Sequence, residues 1–183
     1  MATTARLLTY EDLLELPDDG KRYEIIDGGL FEMPSPSLEH QRLLIRFTLL
    51  IGTFLERTGL GEVLSAPLDI RLSPHNVVQP DFIVIRAGRL SHHRTMPVEV
   101  VPDLVIEVLS PSNREHDEQR KFQLYAAAGI LEYWIADIEA KSLRGYILRN
   151  GMHERLPQDG PFLRSVVLAG LEIDVPALFA DLS

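Results

Sequence analysis

The sequence reads PDLVIEVLSPS at residues 102–112, an apolar and largely β-branched run that is typical of a strand covered on both faces. Glu107 stands in the middle of this run. Burying an ionised carboxylate among such neighbours is unfavourable unless a metal, a cation or hydrogen-bond donors compensate its charge. A buried ion pair with an arginine is the purely structural alternative for Glu107.

A second carboxylate has a similar setting upstream. The sequence VVQPDFIVI at residues 77–85 predicts another buried strand, and Asp81 lies within it. Asp81 after Pro80 also fits the start of a turn, but the apolar residues 82–85 indicate that the strand continues. Two buried carboxylates on neighbouring strands suggest a shared compensating ion, and their oxygen atoms suit Mg²⁺ or Mn²⁺. The residues therefore favour metal-assisted hydrolysis of a phosphodiester bond.

Composition limits the class of protein. The chain has 183 residues, of which 45% are hydrophobic, and we expect a single domain over residues 1–183. It contains no cysteine, which excludes disulfides and cysteine-ligated zinc or iron–sulfur sites. The 18 basic and 27 acidic residues give a net charge of −9, which counts against a protein that coats nucleic acid electrostatically. The sequence has no signal-peptide pattern and no apolar segment of bilayer length, so we expect a cytoplasmic protein without a membrane partner.

The segments around the two buried runs predict a core over residues 38–137. The apolar residues of 38–58 repeat at spacings of three and four, which predicts a core-facing helix. Residues 113–128 follow a capping-box pattern between Ser112 and Glu115 and predict a second helix. Strands are expected at residues 62–66, 68–72 and 132–136. The predicted fold class is α/β (α+β), with a mixed β-sheet flanked by helices.

Turn signals organise both ends of the chain. Residues 9–33 predict a short helix and then an N-terminal β-hairpin around Asp27-Gly28. Residues 142–183 predict a closing hairpin around Asn150-Gly151, followed by a tail that ends in a helical turn.

The order of helix, three strands, helix and strand resembles the PD-(D/E)XK nuclease superfamily, in which Pro80-Asp81 and Glu107 would take the acidic positions. Within it the chain is similar to the Uma family, whose members are described as putative restriction endonucleases. The resemblance rests on residues 23–28 (YEIIDG), 78–81 (VQPD), 102–112 and 129–137 (GILEYWIAD), with Lys121 and Tyr125. It implies a restriction-endonuclease-like fold.

One position departs from the superfamily pattern. Where that pattern places a lysine two residues after the strand glutamate, this chain has Leu109. Since side chains two apart on a strand share a face, Leu109 lies beside Glu107 and supplies no charge. The resemblance implies that Lys121 takes over by reaching back from the following helix. Taken alone, Lys121 is an ordinary exposed ion-pair partner of Asp117, four residues earlier.

The resemblance also implies the chemistry, which is Mg²⁺- or Mn²⁺-dependent endonucleolytic hydrolysis of DNA. Asp81, Glu107 and Lys121 are the expected catalytic residues. Asp81 and Glu107, joined by Glu24 from the N-terminal hairpin, are the expected metal ligands. The alternative for Glu24 is an edge-strand glutamate that faces solvent. The alternative function is a nuclease fold used as an interaction module with a weak or inactive site, which Leu109 and the charge of −9 favour.

Two further features bear on DNA and on assembly. His40 stands near the start of the long helix, where the helix dipole would help it to contact a phosphate; a surface histidine is the alternative. A candidate basic cluster for DNA contact comprises Arg86, Arg89, His92, His93 and Arg94. The alternative is a solvated loop.

The oligomeric state follows from a separate argument. Strand edges beside the two hairpins, together with the two-fold geometry of duplex cutting, lead us to expect a homodimer.

Overall fold

A six-stranded mixed sheet lies at the centre of the structure, a computed structural model that describes residues 6–90, 96–110 and 114–182. A four-stranded antiparallel sheet, a two-stranded sheet and several helices surround it. The helices are α1 (Tyr10–Leu14), α2 (Leu38–Phe47), α3 (Thr53–Thr58), α4 (Phe122–Ala127) and α5 (Val175–Phe179). The strands are β1 (Arg22–Ile26), β2 (Gly29–Met33), β3 (Gly61–Ser65), β4 (Ile70–Ser73), β5 (Asn76–Val78), β6 (Phe82–Arg86), β7 (Leu104–Leu109), β8 (Glu132–Asp137), β9 (Ser142–Arg149), β10 (Met152–Arg155), β11 (Phe162–Arg164) and β12 (Glu172–Asp174).

The central sheet has the strand order β10-β9-β8-β7-β6-β3. Its β7 and β8 pair in parallel, with Glu107 opposite Ile135, whereas the other neighbours are antiparallel. Parallel neighbours need a crossover connection, and a helix over residues 116–127 lies between these two strands in the sequence. This mixed sheet with flanking helices confirms the predicted fold class.

Alternate residues of β7 enter two different cores. Ile106 and Val108 belong to the core that the helix over residues 38–58 covers. Val105 and Leu109 belong to a second core, which also contains Tyr125 of α4. All residues of β7 are buried, as the apolar run predicts, and Glu107 shares its face with Val105 and Leu109. The strand therefore presents Glu107 toward the side of the sheet where α4 packs.

The long helix of residues 38–58 begins and ends where the sequence predicts. The Ser37 side chain accepts a hydrogen bond from the His40 N–H at 3.2 Å, and Gly59 closes the helix with a φ of 67°. Its middle turn, Thr48–Gly52, is π-helical, which the apolar spacing did not predict. A second π-helical turn, His116–Lys121, leads into α4. Such turns occur frequently at functional sites.

Both predicted hairpins are present. Asp27 and Gly28 have φ values of 51° and 74°, and Asn150 and Gly151 have values of 50° and 80°. Two consecutive positive φ angles are the requirement of the tight hairpin turn that Asp-Gly and Asn-Gly favour. The first hairpin joins β1 to β2, and the second joins β9 to β10.

The prediction of one continuous strand over residues 77–85 is wrong. The chain forms β5 in the four-stranded sheet, leaves it at Gln79, and enters β6 of the central sheet. Pro80 cannot donate a ladder hydrogen bond, so the pairing breaks there. The N–H groups of Gln79 and Asp81 donate instead to the carboxylates of Glu24 and Glu107. Asp81 consequently stands at a junction between two sheets.

The structure differs from the sequence predictions at smaller points near the C-terminus and before the second helix. The two-stranded sheet of β11 and β12 was not predicted, and the expected terminal helical turn is α5, which Asp174 caps by accepting from the Ala177 N–H. The capping-box start predicted at Ser112 lies outside the described residues. Within the described ranges, no helix has the length and apolar character needed to cross a bilayer.

Candidate active site

The predicted site residues converge beside a small cavity between the two larger sheets. Asp81 precedes β6, Glu107 lies on β7, and Lys121 lies on the π-helical turn before α4. All three line a cavity of about 30 Å³, which has room for a small ion or one or two waters. The fold thus assembles groups that are far apart in sequence.

The carboxylates of Asp81 and Glu107 each accept a hydrogen bond from a main-chain N–H group of the neighbouring segment. The Val108 N–H donates to Asp81 Oδ2 at 2.8 Å, and the Asp81 N–H donates to Glu107 Oε2 at 3.3 Å. The antiparallel pairing of Phe82 with Ile106 sets this geometry, because it brings the start of β6 beside the middle of β7. Both carboxylates are therefore oriented by main-chain donors.

Lys121 extends into the same cluster. Its Nζ lies 2.9 Å from Glu24 Oε1, 3.0 Å from Glu107 Oε1 and 3.6 Å from Asp117 Oδ1, with 1% of the side chain exposed. The alternative of an ordinary exposed pair with Asp117 is wrong, since the pair exists but is buried. Burial alone would lower the pKa of Lys121, but Glu107 and Glu24 outweigh it and raise the pKa well above its usual value. The side chain stays protonated.

Glu24 lies behind Lys121 in a fully buried position. The strand that carries it, β1, pairs with β2 on one side and β5 on the other, so the alternative of a solvent-facing edge glutamate is wrong. Glu24 Oε1 accepts from the Gln79 N–H at 2.7 Å, and Oε2 lies 3.0 Å from His116 Nε2. Burial opposes ionisation, but Lys121 and these hydrogen bonds outweigh it and lower the pKa of Glu24 to about 2. Glu24 does not line the cavity.

Tyr125 and the burial of the side chain also affect the ionisation of Glu107. The Tyr125 hydroxyl donates to Glu107 Oε1 at 2.6 Å, so its buried partners are a tyrosine and a lysine rather than the arginine of the structural alternative. Burial, opposed by Lys121 but reinforced by Asp117 and Asp81, raises the pKa of Glu107 well above its usual range. The neighbouring carboxylates therefore compete for one lysine, and Glu107 is harder to ionise than a free carboxyl group while no other cation is present.

Asp117 is a site residue that the sequence reasoning did not assign. It is 3% exposed and lines the cavity, and its Oδ1 has no hydrogen-bond partner among the described residues. Burial is the largest cause that raises its pKa to about 6, with Asp81 and Glu24 adding to it and Lys121 opposing it. The only sequence signal was its spacing of four from Lys121, which is common on exposed helices.

Two histidines also reach the cluster. His40 is 7% exposed and lines the cavity, and its Nε2 lies 3.0 Å from Asp81 Oδ2, so the alternative of a surface histidine is wrong. The predicted contact of His40 with a phosphate stays a prediction. His116, which the sequence analysis did not select, contacts Glu24 and lies against the Phe31 ring at 5.1 Å between centroids.

Two arginines of the predicted basic cluster form ion pairs with a buried carboxylate. Arg86 Nε donates to Asp103 Oδ1 at 2.8 Å, and the Arg89 guanidinium donates to Asp103 Oδ2. Asp103 has 1% side-chain exposure, so these arginines have a structural role in neutralising it. The remaining members, His92, His93 and Arg94, lie outside the described residues.

The donor set fits a hydrated divalent cation. Four carboxylates are grouped around one lysine, those of Glu24, Asp81, Glu107 and Asp117. Asp117, whose Oδ1 has no hydrogen bond from the described residues, lines the cavity. In the part of the chain that the structure describes, no three Asp, Glu or His side chains are arranged to hold an ion by themselves. An ion would therefore rest on two carboxylates and water, which is the arrangement that Mg²⁺ commonly adopts.

Comparison with known proteins assigns the family. The sequence model of Uma2, described as "Putative restriction endonuclease", matches residues 10–176. The chain belongs to the Uma2 family. This confirms the resemblance seen in the sequence.

Two individual proteins resemble this Uma2 member. An uncharacterised protein of Synechocystis sp. is 29% identical over 116 residues, which are 63% of this chain and 60% of that protein's length. A crystal structure described as a putative nuclease from Anabaena variabilis matches with a TM-score of 0.78 and 19% identity. That match covers 96% of this chain and 99% of the other, and at this identity it shows a shared nuclease-like fold.

Proposed function

We propose that this Uma2 protein is a divalent-metal-dependent endonuclease that hydrolyses DNA phosphodiester bonds. The observation that carries the proposal is the buried Lys121 ammonium, 3.0 Å from Glu107 Oε1, beside a cavity that Asp81 also lines. Burying a lysine among several carboxylates is costly for folding, and apolar residues of similar volume would often be as stable or more so. A catalytic requirement explains why this group of charges is present.

In this proposal Asp81 and Glu107 hold the ion. Main-chain donors already fix Asp81 Oδ2 and Glu107 Oε2, so little rearrangement is needed for binding. When bound, a Mg²⁺ or Mn²⁺ ion would supply Lewis-acid polarisation of the scissile phosphate. His40 would orient Asp81 through its Nε2, which lies 3.0 Å from Asp81 Oδ2.

Lys121 would orient the attacking water and stabilise negative charge that develops on the phosphate. Its raised pKa favours this role over proton abstraction, because a protonated amine donates hydrogen bonds but accepts no proton. Glu24, which the family resemblance implied as a third metal ligand, would position Lys121 instead. Unlike Asp81 and Glu107, Glu24 does not line the cavity, and its carboxylate contacts Lys121, Gln79 and His116.

DNA as the substrate is part of the same proposal. The net charge of −9 disfavours binding through the overall field of the protein, so affinity would come from the ion and from local cations such as Arg22 at the cavity. We expect binding that depends strongly on the divalent ion as well as on salt concentration.

The test is cleavage of plasmid and single-stranded DNA with Mg²⁺ or Mn²⁺ and an EDTA control. Asp81→Asn, Glu107→Gln and Lys121→Met should each reduce cleavage at least 100-fold, a loss of about 3 kcal/mol in transition-state stabilisation. Glu154→Gln, an exposed carboxylate on β10, should retain wild-type activity and serves as the matched control.

Folded wild-type protein that binds Mn²⁺ and cuts no DNA would overturn the nuclease proposal in favour of an interaction module. Cleavage that survives the Asp81→Asn/Glu107→Gln double substitution would show that these carboxylates are not the ligands.

A further inference from the structure

The long helix presents an apolar strip to solvent on the face opposite its core contacts. Ile45, Leu49 and Leu50 have exposures of 59%, 64% and 48%, while Leu44, Phe47 and Ile51 are buried. Single exposed apolar residues are common, but adjacent large ones on a helix are typical of a surface that another element covers. No described segment of this chain covers them.

Two charged residues of opposite sign lie at equal distances from Leu49 on the exposed face. Arg42 and Glu56 are both exposed, and each lies seven residues from Leu49. One guanidinium nitrogen of Arg42 donates to the Leu182 carbonyl oxygen at 3.1 Å. Seven residues correspond to about two helical turns, or roughly 10 Å along the axis. The small exposed residues near Leu49 are Thr48 and Thr53.

From this pattern we infer that the exposed face of the helix over residues 38–58 is a homodimer interface, in which two copies pack antiparallel about a two-fold axis near Leu49. In that arrangement Arg42 lies level with Glu56 of the partner subunit, and the pair forms twice because a two-fold interface is self-complementary. The short side chains of Thr48 and Thr53 let the two helices approach closely. The opposite charges at the two ends select the antiparallel orientation over the parallel one.

An adjoining groove extends the apolar surface. Leu49, Leu50, Phe162 and Ala177 are among the residues that line a groove of about 410 Å³ between the long helix and the segment from β11 to α5. A second copy centred on Leu49 would cover this groove on both subunits. The exposed edge of β10, beside the second hairpin, is the competing position for a dimer contact.

Charge exchange at the two ends of the face is the first test. Sedimentation at tens of micromolar should show a dimer for wild type, and Arg42→Glu and Glu56→Arg should each raise the dimer dissociation constant at least tenfold. The double variant Arg42→Glu/Glu56→Arg should recover wild-type affinity within about threefold, because the pair is re-formed with its signs exchanged. A wild-type monomer, or a double variant as weak as the single ones, would overturn the inference. Neither outcome depends on nuclease activity.

Crosslinking is the second test, and it uses a milder substitution. Because the chain contains no cysteine, Leu49→Cys introduces the only thiol, and a short bismaleimide should couple two copies in high yield. Met152→Cys is the matched control, since Met152 is 66% exposed at the start of β10. Efficient crosslinking of Met152→Cys but not of Leu49→Cys would place the interface at the strand edge and refute the helix face.

Discussion

Lys121 is the residue around which the candidate site is built, because one ammonium lies within 3.6 Å of three carboxylates. These carboxylates are not equivalent. The pKa of Glu24 falls to about 2, whereas that of Asp117 rises to about 6, since Glu24 has Lys121, His116 and the Gln79 N–H as partners and Asp117 has an oxygen without a hydrogen bond from the described residues. Glu24 is therefore suited to hold Lys121 in place, while Asp117 is a source of electrostatic destabilisation.

Glu24→Gln separates a positioning role from a ligand role. We expect cleavage to fall at least tenfold while the Mn²⁺ dissociation constant changes less than twofold, because the amide keeps its place but no longer attracts the ammonium. Titration calorimetry with Mn²⁺ alongside plasmid cleavage provides the measurement. Glu32→Gln, on the exposed part of the same hairpin, should change neither quantity. A loss of Mn²⁺ affinity of about 10-fold or more would instead show that Glu24 takes part in metal binding.

Asp117 should make stability of the metal-free protein fall as pH rises. Its pKa is about 6 in the folded state, against an ordinary value of 3.8, so the folded state binds more protons in this interval. The resulting stabilisation is full below pH 3.8 and is lost as pH rises through about 6. Asp117→Asn should consequently increase the free energy of unfolding at pH 8 by on the order of 2 kcal/mol, with a smaller effect at pH 5.

Urea denaturation at pH 5 and pH 8, with EDTA present, measures this difference. Asp137→Asn is a control of opposite sign, because the Arg114 hydrogen bond lowers the pKa of Asp137 and its charged form stabilises the fold above the ordinary pKa. A variant Asp117→Asn that is less stable than wild type at pH 8 would contradict the electrostatic account of the cluster.

At the scale of elements, two breaks in regular structure position the site. The interruption at Pro80 frees the N–H groups of Gln79 and Asp81 to bind Glu24 and Glu107. The π-helical turn His116–Lys121 supplies Asp117, Lys121 and the His116 partner of Glu24. Between them, β1 carries Glu24 into the cluster, and its hairpin turn determines where that strand ends.

The two hairpin turns should differ in their tolerance of a side chain. Both Gly28 and Gly151 have positive φ, but a Cβ on Gly28 would lie 2.6 Å from Leu7 Cβ, whereas one on Gly151 meets no described atom within 4 Å. Gly151→Ala should cost about 1 kcal/mol of stability and Gly28→Ala more, about 2 to 3 kcal/mol. Thermal denaturation of the two variants measures the difference, and equal losses would show that the N-terminal segment shifts freely.

At the scale of the whole molecule, the grouped carboxylates couple cation binding to stability. An ion that binds the folded state alone stabilises it by about 2.7 kcal/mol at a concentration 100 times its dissociation constant. We expect Mn²⁺ or Mg²⁺ to raise the melting temperature at pH 7.5, with the increase lost in Asp81→Asn/Glu107→Gln. Scanning calorimetry with and without the ion measures it, and Na⁺ at matched ionic strength controls for general screening. An equal increase in the double variant would place the ion elsewhere.

Much of the local structure was predictable because it depends on residues that are close in the chain. The Asp27-Gly28 and Asn150-Gly151 turns, the long helix with its Gly59 cap and the buried run of β7 follow from backbone preferences and apolar spacing. The same patterns, together with the family resemblance, selected Asp81, Glu107, Lys121 and Glu24. Their metal-binding and catalytic roles stay predictions, but the structure gathers them in one cluster.

The sequence by itself determined the long helix, the two hairpins and the apolar strand β7, and it placed Glu107 among buried residues. Only the tertiary structure decided how those charges are compensated. Glu24 and His116 are 92 residues apart, and His40 and Asp81 are 41 apart, so no local pattern indicates either contact. Burial of a charge is a property of everything packed around it, and the burial of Lys121 and the role of Asp117 therefore emerge only when the two sheets and the helix before β8 meet.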